Sequence, residues 1–266
     1  EETGLEFSSG VPNVMHACGH DAHTASLLGV AFILQSMRSS FSGTVKLIFQ
    51  PGEEKLPGGA SILIKEGVLE NPVPIAVIGQ HVMPGMAAGK IGIRKGVFMA
   101  SMDEIYVRIK GKGGHGAMPH QNIDPVLIAS HLVVALQQIV SRTCNPLVPA
   151  VLSFGKFIAN GSVNVIPDEV LLEGTFRTVD EKQRREAHEH MHQLAIGMAE
   201  SMGGSCEFDI RVGYPVLVNA DALTNSIKHI AADYLGAENI EEADLWMAAE
   251  DFSYYSQATD ACFYLL

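Results

Sequence analysis

Hydrophobic and polar positions follow two different patterns along the chain. Residues 24–37 (TASLLGVAFILQSM) are almost wholly apolar and long enough for a buried helix, with Asp21 or Thr24 able to cap its start. After a turn at 39–43, residues 44–50 (TVKLIFQ) read as a buried strand rich in β-branched and aromatic side chains. It breaks at Pro51-Gly52. A helix is expected from about 59 to 66, closed by Gly67 as a C-cap. A second apolar strand, 75–79, runs straight into Gln80-His81. Strand, loop, helix, strand is the pattern of a parallel sheet, where ligands bind beyond the carboxyl ends of the strands.

From Ser101 the period changes. Residues 103–110 alternate, with Ile105, Val107 and Ile109 on one face of an amphipathic strand. A glycine-rich loop (111–116) follows, then a helix begins at Asp124-Pro125, an N-cap followed by proline at the first helical position, and runs to about 142. Strands are expected at 148–157 and 169–178, a helix from 181 to about 202 stopped by Gly203-Gly204, and a strand at 206–212. The order βαββαβ is the ferredoxin-like arrangement. Alternating α/β text resumes with a helix at 222–235. The expected fold class is therefore α/β: a mostly parallel-sheet domain in two parts (1–98 and 213–266) with a ferredoxin-like α+β domain inserted at 99–212.

Composition supports this reading and narrows the partners. The chain has 266 residues, 47% of them hydrophobic, with 26 glycines, enough for one large or two medium globular domains. Eighteen basic residues against 30 acidic ones give a net charge of -12, and no basic patch is visible, so neither nucleic acid nor an anionic membrane is an expected partner. The cysteines at 18, 144, 206 and 262 are far apart, which argues against a disulfide framework and for a reducing, cytoplasmic setting. No run of transmembrane length and no signal peptide are read. The text opens on Glu1-Glu2 and stops on Tyr264-Leu265-Leu266 inside an expected strand, so truncation at both ends is expected.

The chemistry concentrates at residues 16–23, HACGHDAH, where imidazole, thiolate and carboxylate, the side chains that bind zinc-like divalent ions, lie together. Gly19 lets the backbone turn so that Cys18 and His20 face one ion. Cys18 and His20 sit just before a helix, while Glu53, Glu54 and His81 sit just past strand ends, so the candidate ligands come from three loops on one rim. Glu53 and Glu54 are neighbours that point opposite ways in extended backbone, and read as one metal ligand plus one general base. His115, in Gly113-Gly114-His115-Gly116, is either a hairpin tip or a place where a ligand approaches, and Asn164 in Asn164-Val165-Ile166-Pro167 fits an ordinary turn. Arg177 ends an apolar strand as a surface cation or as a bidentate holder of a carboxylate. His188, His190 and His192 read as a solvated helix face, the methionine-rich stretches as core, and Glu250-Asp251 is an acidic pair whose place is open.

The motifs HACGHDAH, LIFQPGEE, GQHVMP, GKGGHGAMPH, NVIPDE and GTFRT, in this order, closely resemble the metal-dependent aminoacylase and carboxypeptidase superfamily. The nearest branch holds hippurate hydrolases, N-acyl-amino-acid amidohydrolases, N-acetyl-diaminopimelate deacetylase and plant auxin-conjugate hydrolases. The resemblance implies that Cys18, His20, Glu54 and His81 are metal ligands and Glu53 the general base. It implies that His115 is a lid histidine reaching the partner subunit's active site, that Asn164 helps hold the oxyanion, and that Arg177 binds the substrate carboxylate. It further implies two divalent ions (Mn2+ or Zn2+, with Co2+ or Ni2+ admissible), a homodimer formed through the lid domain, and hydrolysis of N-acyl amino acids or small peptide-like conjugates. Members of that superfamily carry a last histidine ligand beyond the point where this chain stops, and an α/β portion ahead of its start. The alternative expectation is a truncated, catalytically silent relative that binds acylated amino acids or peptides. A single structural zinc at the histidine cluster would leave Glu53, Glu54 and His81 unexplained.

Overall fold

The computed structural model describes residues 3–266. In chain order it forms α1 (His20–Ser36), α2 (Gly59–Lys65), β1 (Val77–His81), β2 (Ile91–Ile93) and β3 (Gly96–Met99). Next come β4 (Asp103–Lys110), β5 (Gly114–His115), α3 (Pro125–Gln138), β6 (Ala150–Ile158), β7 (Val165–Ile166), β8 (Glu169–Thr178), α4 (Glu181–Ser201) and β9 (Ser205–Val212). The chain closes with β10 (Leu217–Asn219), α5 (Asp221–Leu235), β11 (Ile240–Glu242), α6 (Ser253–Ala258) and β12 (Ala261–Leu265).

The first sheet has the order β1-β12-β2-β11. β12 runs parallel to β1 and antiparallel to β2, and β11 runs parallel to β2. Two of its three pairings are parallel, in line with the expected mostly parallel sheet, and the third makes it mixed. Its core gathers Phe98, Met99, Leu217, Phe252, Tyr255 and Phe263. The apolar tail of the sequence is buried here as β12, and its pairing with β1 sets His81 at the carboxyl end of β1.

The alternation at 103–110 becomes β4 with those bounds, Ile105, Val107 and Ile109 inward and Glu104, Tyr106 and Arg108 half-exposed. β4 lies between β8 and β9 in the antiparallel sheet β6-β8-β4-β9. The inward side chains pack with Ile128, Leu132 and Leu136 of α3 and Met191 and Ala195 of α4. Asp124 caps α3 by accepting from the amides of Val126 and Leu127, as its place before Pro125 suggested. α3 continues through a wider π-type turn at Ile139–Thr143, and Pro125–Thr143 as a whole is long and apolar enough to cross a membrane. That corrects the sequence expectation of no such run; its inward face is spent on this core.

Two other expectations fail on the amino-terminal side. The helix at 24–37 forms, but no residue of α1 is buried and Phe32 is 78% exposed. Residues 44–50 form no strand: the apolar side chains are in place, but no neighbouring backbone among the described residues pairs with them. Lys46 instead donates to the carbonyls of Val68, Glu70 and Pro72, tying this segment to the turn after α2.

Candidate active site

Gly19 adopts φ +83, and a Cβ there would lie 2.7 Å from Cγ2 of Val82. Only glycine meets both demands, so the turn that delivers Cys18 and His20 packs directly beside the end of β1. The Sγ of Cys18 lies 3.3 Å from Nε2 of His81. Nδ1 of His81 is 2.7 Å from the carbonyl of Val82. Because a carbonyl only accepts, Nδ1 carries the proton and Nε2 turns its lone pair toward Cys18. His23 is a different case. Its Nε2 accepts the amide of Val82 at 3.0 Å, and burial, with His81 and His20 nearby, pushes its pKa down to about 4. His23 is a neutral packing residue whose Nε2 lone pair is already used.

The acidic pair comes from the loop between Gln50 and α2. Oε2 of Glu53 lies 3.8 Å and Oε1 of Glu54 4.0 Å from Nε2 of His20. Both are too long for hydrogen bonds, so the groups surround a shared space rather than saturating one another. Donor atoms of Cys18, His20 and His81 lie within 4.8 Å of one another, as do those of His20, Glu53 and Glu54. Ligand atoms about a tetrahedral ion with bonds near 2.1 Å are about 3.5 Å apart, so small side-chain adjustments suffice. A divalent cation fits this donor set.

The electrostatics agree. Burial, then Asp251, then Glu54 raise Glu53 to a pKa of about 7. Burial and the two glutamates push the Cys18 thiol up as well, and burial with Glu53 and Asp251 holds Glu250 well above the carboxylate range. Among the described residues no lysine or arginine forms an ion pair with Glu53, Glu54, Glu250 or Asp251. Negative charge is gathered without a protein cation, the condition a bound metal relieves.

Glu250-Asp251, left open by the sequence, does reach this rim: Asp251 is fully buried and accepts from Nε2 of Gln50 (2.6 Å) and the amide of Ala60 (2.9 Å). Tyr214, whose hydroxyl donates to the backbone carbonyl of Glu53, carried no signal in the sequence. The only hints were a polar Gln50 ending an apolar run and the adjacent Gly58-Gly59.

The remaining sequence candidates lie elsewhere. β5 and β7 pair antiparallel, so His115 stands opposite Val165, next to Asn164, and both His115 and Asn164 are exposed. The ring Nδ1 of His115 accepts the Ala117 amide at 3.1 Å, and Gly116 donates to the carbonyl of Asn164 at 2.8 Å. Arg177, half-buried near the end of β8, donates through Nη1 to the carbonyl of Met247 at 2.9 Å. Among the described residues no hydrogen bond or ion pair joins these three to Cys18, His20, Glu53, Glu54 or His81.

The family model for peptidase family M20/M25/M40 matches residues 1–266. The chain belongs to the M20/M25/M40 peptidases. The resemblance read from the motifs is to this family. The chain is 47% identical over 221 residues to the N-acyl-L-amino acid amidohydrolase of Geobacillus stearothermophilus, covering 83% of this chain and 59% of that protein. It is 41% identical over 255 residues to the N-acetyl-L-cysteine deacetylase of Bacillus subtilis, covering 96% and 60%. The fold is similar to that of the YXEP protein of B. subtilis, described as a dinuclear metal-binding peptidase of the M20 family, with a TM-score of 0.81 and 35% identity over 100% of this chain and 67% of that one. The chain thus spans about three fifths of the curated relatives it matches.

Proposed function

We propose that this M20 chain carries the metal centre and general base of a dinuclear hydrolase that cleaves the amide bond of N-acyl amino acids or small peptide-like conjugates. The observation that carries this is the meeting of Cys18, His20 and His81 with Glu53 and Glu54 around one space, with no lysine or arginine among them. Cys18, His20, Glu54 and His81 would hold the metal. Two divalent ions held there would supply Lewis acidity toward an amide carbonyl and a water. Thiolate favours Zn2+, while carboxylate and imidazole also admit Mn2+, Co2+ or Ni2+.

Glu53 takes the proton of the attacking water and delivers it to the leaving amine. A carboxylate titrating near neutrality suits both transfers. The β4–β9 block, ferredoxin-like in its order of elements, is read as a lid and dimerisation domain. Its β5–β7 ribbon presents His115 and Asn164 as oxyanion donors to a partner subunit's site, and their exposure and mutual proximity support that role. Arg177 keeps guanidinium donors beyond the one on Met247 and is read as the holder of the substrate carboxylate. Four free cysteines support a cytoplasmic location. The relatives' names favour an enzyme over a silent binding module.

The test is Glu53→Gln in the intact protein, assayed on N-acetyl, N-benzoyl and dipeptide substrates alongside metal analysis. Turnover should fall by about 10²–10⁴ with metal content unchanged. Wild-type turnover in this variant would remove Glu53 as the base. A metal-loaded wild type that hydrolyses none of the panel would overturn the reading as a whole.

A further inference from the structure

The loop that carries Glu53 and Glu54 has few attachments of its own. It runs from Gln50 to the start of α2, contains Pro51, Gly52, Pro57 and Gly58, and has no strand on either side. Yet a general base has to be placed to a fraction of an ångström. What fixes this loop comes from distant parts of the chain.

Asp251 has both carboxylate oxygens engaged at the neck of the loop. Oδ1 accepts from Nε2 of Gln50 at 2.6 Å, and Oδ2 from the amide of Ala60 at 2.9 Å. One fully buried side chain therefore ties the last residue before the loop to the first turn of α2. The neck is closed tightly: a Cβ on Gly59 would stand 1.6 Å from the carbonyl oxygen of Pro51. With both oxygens occupied and its surface sealed, Asp251 is neither a metal ligand nor a proton carrier to solvent. Tyr214, 3% exposed, secures the middle of the loop through its hydroxyl on the carbonyl of Glu53. The two side chains meet at Gly58, where a Cβ would lie 2.6 Å from Oδ2 of Asp251 and 2.9 Å from Cε1 of Tyr214. Gly58 also has φ +81, so the loop's bend and its contact with both holders depend on the same glycine.

We propose that Asp251 and Tyr214 are positioning residues that grip the Glu53–Glu54 loop at its neck and its middle, and so set where the base and its neighbouring ligand face the metal rim. This rests on the hydrolase reading for its catalytic consequence, but the grip itself can be tested without turnover. Tyr214 also anchors the grip to the rest of the molecule, because its carbonyl accepts the amide of Met102 at the crossing between the two sheets.

The variants are Tyr214→Phe, which removes one hydroxyl and keeps the packing on Gly58, and Gln50→Met, which removes the side-chain amide donor to Oδ1 of Asp251. In metal-free protein, hydrogen–deuterium exchange across 51–58 should speed up by about tenfold in each, while 103–110 exchanges as in the wild type. In metal-loaded protein kcat should fall by about tenfold in each and about 100-fold in the double variant, with KM within about twofold. A residue that only supports folding would instead speed exchange at 103–110 too, and that result overturns the proposal, as does unchanged exchange across 51–58. If exchange responds as expected but Glu53→Gln retains full turnover, the hydrolase reading fails and the grip stands. If Glu53→Gln is inactive while Tyr214→Phe and Gln50→Met keep wild-type kcat, the positioning role fails and the hydrolase reading stands.

Discussion

Of the histidines that stand beside carboxylates, His188 and His20 give opposite results. His188 on α4 places Nε2 2.7 Å from Oδ2 of Asp103, the first residue of β4. That carboxylate, fully buried, also accepts from Arg184 through Nε at 2.9 Å and Nη2 at 2.5 Å, and from the amide of Gly213 at 3.1 Å. His20 stops 3.8 Å short of Glu53. Burial pushes both carboxyl groups up. At Asp103 the hydrogen bonds and charges of His188 and Arg184 more than offset it, and the pKa ends below the usual range. At Glu53 the neighbours are Asp251 and Glu54, which push the same way as burial, to about 7. The residue types do not distinguish a closed joint from an open rim; the number of satisfied partners does.

The position of the joint shows what it holds. Arg184 also donates to the carbonyls of Met102 and Gly213, at the two places where the chain crosses between its sheets. Replacing Arg184 by Met should therefore have the largest effect on stability, a loss of about 3–5 kcal/mol, because Asp103 keeps its burial and loses its cation. Chemical denaturation measures it, and the folded fraction should bind metal as the wild type does. A loss below about 1 kcal/mol would mean that the joint is not what holds the crossing. His188→Leu is the milder version, about 1.5–3 kcal/mol for one hydrogen bond to a charged group.

Acid separates the two regions further. Because the folded pKa of Asp103 lies below its unfolded value, the unfolded state binds more protons in between. Its stabilisation is complete above the ordinary carboxylate pKa and is lost as pH falls through the lower folded value. Stability should decline over that window in the wild type and more gently in Asp103→Asn, which starts from a lower plateau. Parallel acid limbs in the two proteins would remove Asp103 as the cause.

The sequence made the β4–β9 block, where the joint sits, far more legible than the amino-terminal part that carries the rim. β4 and β8 appear with the bounds read from their patterns, because each meets its partner strands inside the block and alternation alone decides which face turns inward. Residues 44–50 show the limit of that logic: apolar, β-branched text is necessary for a strand, but a ladder needs a second backbone, and pattern says nothing about whether one is beside it. The helix α1 shows the same limit for burial, since its apolar residues formed a helix without acquiring a cover. At the rim, the edge argument holds for Cys18 and His20 before α1 and for His81 at the end of β1, but not for Glu53 and Glu54, whose expected strand does not form although they reach the same place. Asp251 and Tyr214 could not be placed from sequence, since their roles lie in hydrogen bonds to backbone some 200 and 160 residues away, which no local pattern encodes.

The smallest effect on stability should come from the most chemically conspicuous residue. Cys18 is exposed, sits in the loop before α1, and its side chain meets His81 and Glu54 at the rim rather than the core. In metal-free protein Cys18→Ala should shift the unfolding free energy by no more than about 0.5 kcal/mol, the ordinary range for a surface substitution. With Zn2+ added, the two proteins should diverge: the wild type gains stability in proportion to the logarithm of metal over dissociation constant, and the variant, short of a thiolate, gains less. Equal gains would remove Cys18 from the ligand set and leave His20 and His81 to act without it. Arg184→Met should show the reverse, a large deficit without metal and an unchanged increment with it. Having both patterns in one protein would show that the joint stores folding stability and the rim stores affinity, although both are built from histidine and carboxylate.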